Sequence, residues 1–123
     1  MKIEKPEFFL ASTEGYDLEE PRRCLVTRRL RGTKRDDYLL IRIDPPIHAQ
    51  NSGLATSEID EVIIATRFKE DTLFPVSQWP LSVHVARLVT PMPEGSEILH
   101  DGQLKEIAWA ELYPSEERAR LKK

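Results

Sequence analysis

The stretch that decides the fold is YLLIRI at residues 38–43, where side-chain character alternates along the chain. Side chains of a β-strand point to opposite faces in turn, so every second residue shares a face. Leu39, Ile41 and Ile43 therefore form one apolar face. This segment predicts a β-strand with one side packed on a hydrophobic core.

A second segment of this kind, CLVTRRL at residues 24–30, lies just upstream. Its predicted apolar face contains Cys24, Val26 and Leu30, and Arg28 interrupts that face. The connection between the two segments, residues 31–37, is polar and contains glycine, which is typical of a hairpin loop. The two segments therefore predict a β-hairpin with a cationic tip, and they predict that Arg29 and Arg31 share a face with Leu25 and Thr27.

Apolar segments further along the chain predict the rest of a sheet. Residues 62–68 are almost continuously apolar. Residues 81–89 alternate, with Leu81, Val83, Val85 and Val89 inward and His84 among the outward residues, although Arg87 breaks the inward set. Residues 45–58 have the composition of a loop, because proline, asparagine, serine and glycine recur there.

The C-terminal third admits two interpretations. Asp101-Gly102 is typical of a tight turn and would join 97–100 to a strand at 104–112. The apolar spacing within 104–112 also fits a helix, which would make the fold α+β. We favour the strand. Residues 114–121 predict a short helix, with acids in its first turn and bases in its last.

These elements predict a mainly β fold, an antiparallel twisted sheet or half-barrel of about five strands with a short C-terminal helix. The length of 123 residues suits a single domain spanning 1–123. The sequence contains no apolar run long enough for a signal-peptide core or for a membrane-spanning helix. We therefore expect a cytoplasmic protein that has no membrane partner.

The motifs of the commonest enzyme classes are absent from the sequence. Five scattered glycines build neither a dinucleotide fingerprint nor a phosphate loop, and one cysteine builds no zinc site. The sequence thus predicts no cofactor and no metal site. Cys24 is predicted to be a small buried hydrophobe. His48, placed in the predicted 45–58 loop, and His84 are the candidates for a hydrolase or isomerase that pairs a histidine with an acid.

The most unusual feature is charge asymmetry near the N-terminus. The formal net charge of the whole chain is -3, which argues against a surface uniformly coated in positive charge. Residues 22–35 nevertheless carry seven bases and no acid: Arg22, Arg23, Arg28, Arg29, Arg31, Lys34 and Arg35. Residues 1–20 carry six acids, which would neutralise this basic hairpin if they folded against it.

The basic hairpin makes a non-catalytic interaction module the leading functional prediction. Arg29, Arg31, Lys34 and Arg35 would contact an acidic protein surface, because guanidinium groups suit carboxylate contacts. Nucleic acid is the alternative partner of the same residues. It is less favoured, because aromatic residues form only 7% of the chain and do not alternate with the basic ones.

An apolar segment at residues 74–79 is the second predicted contact region. Phe74 and Trp79 are large aromatic side chains, and each is followed directly by a proline, Pro75 or Pro80. Exposed aromatic residues of this kind anchor protein interfaces. The alternatives are that they cap the core of the domain or that a homodimer buries them.

Overall fold

Six β-strands and one short helix make up the described part of the chain. The structure is a computed structural model and describes residues 3, 5–13, 18–32, 37–50, 56–67, 80–88, 98 and 102–121. The strands are β1 (Phe8–Ala11), β2 (Arg22–Leu30), β3 (Tyr38–Gln50), β4 (Thr56–Thr66), β5 (Leu81–Leu88) and β6 (Leu104–Tyr113), and they are followed by helix α1 (Glu116–Arg120).

The strands form a closed antiparallel barrel. Each strand pairs with the next along the chain, and β1 also pairs with β6, where Phe9 lies opposite Tyr113. The prediction of a mainly β antiparallel fold with a short C-terminal helix is confirmed. The sheet is closed and six-stranded because β1, a strand of four residues, bridges β2 and β6. A strand that short shows no alternation in the sequence.

The barrel interior is a single apolar core to which all six strands contribute. Its largest fully buried side chains include Phe8, Leu10, Ile41, Ile64 and Leu112. The predicted inward faces of β3 and, as far as Val85, of β5 are confirmed, since Leu39, Ile43, Leu81, Val83 and Val85 also belong to this core. Val89 lies outside the described residues. At roughly 25 cal/mol for each Å² of apolar surface removed from water, this interior is the main favourable contribution to folding.

A β-bulge in β2 corrects the predicted face of the basic hairpin. Val26 pairs with Ile41 and Arg28 pairs with Leu40, so Thr27 is the extra residue. Its hydroxyl donates a hydrogen bond to the Leu40 carbonyl at 2.9 Å. One extra residue moves every later side chain to the other face. Arg28 therefore does not interrupt the core face.

Past this bulge, Leu30 lies on the outer face of the sheet, the side turned away from the barrel interior. There it forms a small second cluster with Leu40 and Ile63. The prediction that Leu30 shares the face of Cys24 and Val26 was therefore wrong. The predicted face shared by Arg29 and Arg31 with Leu25 and Thr27 was wrong for the same reason.

The predicted loop at 45–58 is strand over much of its length. β3 continues to Gln50 and β4 begins at Thr56, whereas 51–55 lie outside the described residues. The prolines are tolerated because the β3–β4 register is broken between Arg42 and Ile47, where no ladder hydrogen bond is needed from them. Beyond the break Ile47 pairs with Ile59, and both join the core.

The C-terminal third is strand, as we favoured, and the helical alternative for 104–112 was wrong. β6 pairs with β5 along its length and with β1 near its end. Gly102 has φ +91°, which glycine adopts without strain and which suits the predicted turn. Of residues 97–101 only Ile98 is described, and it forms a parallel bridge with Arg31.

Helix α1 packs on the outer face of β1 and β6. Ala119 is fully buried there, beside Tyr113 and Phe9. Ser115 caps the helix, because its hydroxyl accepts a hydrogen bond from the Arg118 amide at 3.2 Å. The helix has five residues, and no helix in the described part of the chain is long and apolar enough to span a bilayer.

We expect Ile41→Ala to lower the free energy of unfolding by about 3 kcal/mol, because it removes a fully buried side chain from the middle of the core. The matched control is Leu121→Ala, since Leu121 is largely exposed beyond the helix. Urea unfolding of both variants provides the measurement. Equal losses in the two variants would contradict the placement of the core.

Candidate functional site

The best-formed side-chain arrangement lies on the outer face of β4, β5 and β6. A second β-bulge produces it. Val85 pairs with Ala108 and Ala86 pairs with Glu106, so Ile107 is the extra residue of β6. In a regular strand, Glu106 and Trp109 would point to opposite faces because they are three residues apart. The bulge turns Glu106 onto the outer face, where Trp109 lies directly opposite His84.

His84 and Glu106 form a direct polar contact on this face. His84 Nδ1 lies 3.0 Å from Glu106 Oε1. Because a carboxylate only accepts, the imidazole N–H is the donor. The side chains are 32% and 49% exposed, so the pair is open to solvent yet partly sheltered by its neighbours. Nε2 of His84 and the second carboxylate oxygen of Glu106 take no part in this hydrogen bond.

Trp109 packs against the imidazole of His84. It is directly opposite His84 in the sheet, and the ring centroids are 3.8 Å apart with an interplanar angle of 44°. The guanidinium of Arg67, just beyond the end of β4, lies 4.5 Å from the centroid of the Trp109 ring. These contacts and the bond to Glu106 restrict the orientation of His84.

A concave pocket of about 330 Å³ lies beside this pair and is called the His84 pocket below. Ala65 and Ala86 supply small side chains between larger ones, which is why the outer face is hollow here. The described lining is completed by Tyr38, Ile63, His84, Leu104 and Glu106. The pocket thus has an apolar floor and a polar rim.

Of the two candidate histidines, His84 is the one that lines the pocket described above. His48 is exposed on β3, opposite Glu58, rather than in a loop as predicted. The hypothesis of a hydrolase or isomerase therefore depends on His84, with Glu106 as the acid. The sequence indicated that His84 points outward, but Glu106, Trp109 and Arg67 were missed, because neither the β5–β6 pairing nor the bulge leaves a signal in the sequence.

The base of the basic hairpin is occupied by contacts within the chain. Arg22 is only 5% exposed, and its Nη1 donates to the backbone carbonyl of Glu20 at 2.7 Å. Arg23 Nη2 lies 3.5 Å from Asp44 Oδ2 on the neighbouring strand. Arg22 is therefore buried within the fold, whereas Arg23 is paired with Asp44 and remains partly exposed.

The predicted contact residues nearer the hairpin tip are open to solvent where they are described. Arg29 and Arg31 are exposed, and Arg28 is half-buried on the outer face. Among the residues that the structure describes, neither Arg28 nor Arg31 has an ion-pair partner. Lys34 and Arg35 lie outside the described residues.

Two acids of the N-terminal segment, Glu7 and Glu20, form contacts with groups other than the arginines nearest the hairpin tip. Glu7 accepts a hydrogen bond from the backbone amide of Val26 at 2.7 Å. Glu20 pairs with Arg120 of helix α1, also at 2.7 Å. Neither contact places a carboxylate on Arg28 or Arg31. Glu4, Glu14 and Asp17 lie outside the described residues.

The second predicted contact region, residues 74–79, lies outside the described residues, and with it Phe74 and Trp79. The strand ends that flank it are described. Thr66, the last residue of β4, has its hydroxyl 3.5 Å from Asp37 Oδ2, next to the hairpin tip. The β2–β3 and β4–β5 connections therefore begin at the same end of the barrel.

Cys24 is buried, as predicted. Its thiol donates to the Arg22 carbonyl at 3.3 Å, and it belongs to the barrel core. Burial raises the pKa of the Cys24 thiol well above its usual range. The thiolate form that nucleophilic chemistry needs is therefore strongly disfavoured in the folded protein.

Acidic side chains cluster on β4, at the opposite end of the strand from the His84 pocket. Glu58, Asp60 and Glu61 line a hollow of about 290 Å³ that also includes Arg87. Within the described ranges, no group of three or more His, Cys, Asp or Glu side chains is arranged to hold a metal ion. The structure assigns no metal to this hollow.

Comparison with known proteins identifies no related family. No family model matches the sequence, no curated protein matches it, and no solved structure matches the fold. The function is therefore argued from the residues of the chain itself.

We expect His84 to be held as the Nδ1–H tautomer, because Glu106 accepts a hydrogen bond from that nitrogen. Long-range ¹H–¹⁵N correlation spectra of the imidazole distinguish the two tautomers. Glu106→Gln should reduce the share of the Nδ1–H form, whereas Glu58→Gln should not. An Nε2–H tautomer in the unaltered protein would contradict the geometry of the pair.

Cys24 should make the stability of the protein fall at alkaline pH. Because burial raises the pKa of this thiol, the unfolded state ionises first and gains stability as the pH exceeds about 8.5, the ordinary thiol value. Between about pH 7.5 and pH 9.5 we expect a loss of roughly 1 kcal/mol in the free energy of unfolding. Urea unfolding of the protein and of Cys24→Ala isolates this contribution. An equal loss in both proteins would contradict it.

Proposed function

We propose that this chain is a non-catalytic, cytoplasmic interaction module that engages an acidic protein surface through the tip of its basic hairpin. The observation that supports the proposal most directly is the exposed position of Arg31 at the end of β2, with no ion-pair partner among the described residues. Arg29 is also exposed, and Arg28 lies nearby on the outer face.

The closed barrel makes the hairpin tip a suitable place for such contacts. Each of the six strands is already paired on both sides along part of its length, so in this proposal the partner is held by side chains and loops. Guanidinium groups at a loop end form charge-assisted hydrogen bonds with carboxylates. Lys34 and Arg35 fall within the connection between β2 and β3, so they add to the same charge in this proposal.

An apolar contribution from residues 74–79 completes the proposed surface. Their connection begins at the barrel end that carries the hairpin tip, which is the reason to combine the two predicted regions. Phe74 and Trp79 would supply the apolar area that charged contacts alone do not provide, because interface affinity depends on desolvated aromatic anchors. The arginines would chiefly accelerate association.

Arg29→Glu/Arg31→Glu tests the proposal. The double variant should slow association with a fluorescent poly-glutamate peptide by about tenfold at low salt, because it reverses the charge of the tip. Arg118→Glu/Lys105→Glu is the matched control, since it makes the same charge change on exposed residues of α1 and β6. Stopped-flow anisotropy measures both rates.

The same variants separate protein from nucleic acid as the partner. We expect the unaltered protein to retain partners from a nuclease-treated extract and to lose them at high salt or with the double variant. A partner set that binds the double variant as well as the unaltered protein would contradict the proposal. Tighter and more salt-dependent binding to a DNA or RNA duplex than to poly-glutamate would favour the nucleic-acid alternative instead.

A further inference from the structure

We propose that the His84 pocket binds a small primary amine with an apolar body. This site is separate from the hairpin tip and goes beyond the proposed interaction function. Its described lining combines one charged side chain, one imidazole and one phenol with four apolar side chains. The inference depends on which hydrogen-bonding groups this lining leaves for a ligand.

Glu106 and His84 supply hydrogen-bond acceptors to the polar rim. Glu106 has one oxygen on His84 Nδ1, and its second oxygen has no partner among the described residues. With Nδ1 as the donor in that bond, Nε2 of the neutral imidazole is an acceptor. A primary ammonium group can donate to the second oxygen of Glu106, and its positive charge complements that of the carboxylate.

Charge favours the same class of ligand. Glu106 is the charged side chain of the described lining, and a carboxylate attracts a cation and repels an anion at this distance. Arg67 lies over Trp109 and is not part of the lining. An anionic ligand would therefore meet Glu106 directly, without an opposing cation in the described lining.

The floor of the pocket suits an apolar body. Ala65, Ala86 and Ile63 are buried beneath the rim, and Leu104 closes one side. The volume of about 330 Å³ falls within the range of small-molecule sites, which begins near 300 Å³. A ligand that covers this floor removes further apolar surface from water, which favours binding.

The acceptors are held in place before any ligand arrives. The bond to Glu106 and the contact with Trp109 restrict His84, and Arg67 lies against Trp109. Groups that are already oriented lose less conformational freedom when a ligand binds. Because its side chains are already oriented, the rim differs from a chance cluster of exposed polar side chains.

Three probes of matched shape test the proposal: phenethylamine, phenethyl alcohol and phenylacetate. Amide NMR titration of the full chain should show phenethylamine binding at least tenfold more tightly than the other two, with shifts in His84, Ala86 and Glu106. In Glu106→Gln the amine should lose this advantage, whereas Glu58→Gln should keep it. Ala86→Leu fills the floor and should abolish binding of the amine.

Amide spectra of each variant confirm that it folds before its affinity is read. Glu106→Gln is close in size to the original and lies on a partly exposed side chain, so its result does not depend on a disrupted core. Equal affinity for phenethylamine and phenethyl alcohol would overturn the proposal. An amine affinity that Glu106→Gln leaves unchanged, or stronger binding of phenylacetate, would overturn it as well.

Discussion

One extra residue in β6 determines what the outer face of this barrel presents. Ile107 interrupts the pairing between β5 and β6, so that Ala86 is opposite Glu106 while Val85 is opposite Ala108. Side-chain direction has a period of two, and a single insertion reverses it for the rest of the strand. Glu106 is consequently on the same side as His84 and Trp109, which are direct cross-strand partners. The hydrogen bond between His84 and Glu106, and the contribution of Glu106 to the pocket, follow from that reversal.

A bulge at Thr27 in β2 has the same effect on the basic hairpin. It removes Arg28 from the core side and turns Leu30 outward against Leu40. The hairpin thus combines a base tied into the fold, through Arg22 and Arg23, with a tip whose arginines face solvent. The two bulges thus shape the two surfaces on which our proposals depend, the exposed arginines near the hairpin tip and the His84 pocket.

The sequence predicted those parts of the fold in which side chains alternate without interruption. The inward face of β3 and the outward position of His84 followed from period two alone. The closure of the sheet into a barrel could not be predicted in this way, because β1 has four residues and its pairing with β6 joins distant parts of the chain. In the sequence, Arg28 and Arg87 interrupt predicted apolar faces. The bulge at Thr27 explains Arg28, because it places that side chain on the outer face. Glu106 and Trp109 could not be assigned to His84, since their shared face depends on a pairing register that spacing does not encode.

The register of β5 against β6 is the most direct test of this account. Backbone nuclear Overhauser effects across the two strands report it residue by residue in the folded protein. The account predicts cross-strand contacts between Val85 and Ala108 and between Ala86 and Glu106, together with contacts between the rings of His84 and Trp109. Contacts that continue regularly from Val85–Ala108 to Ala86–Ile107 would contradict it, because Glu106 would then lie on the opposite face from His84.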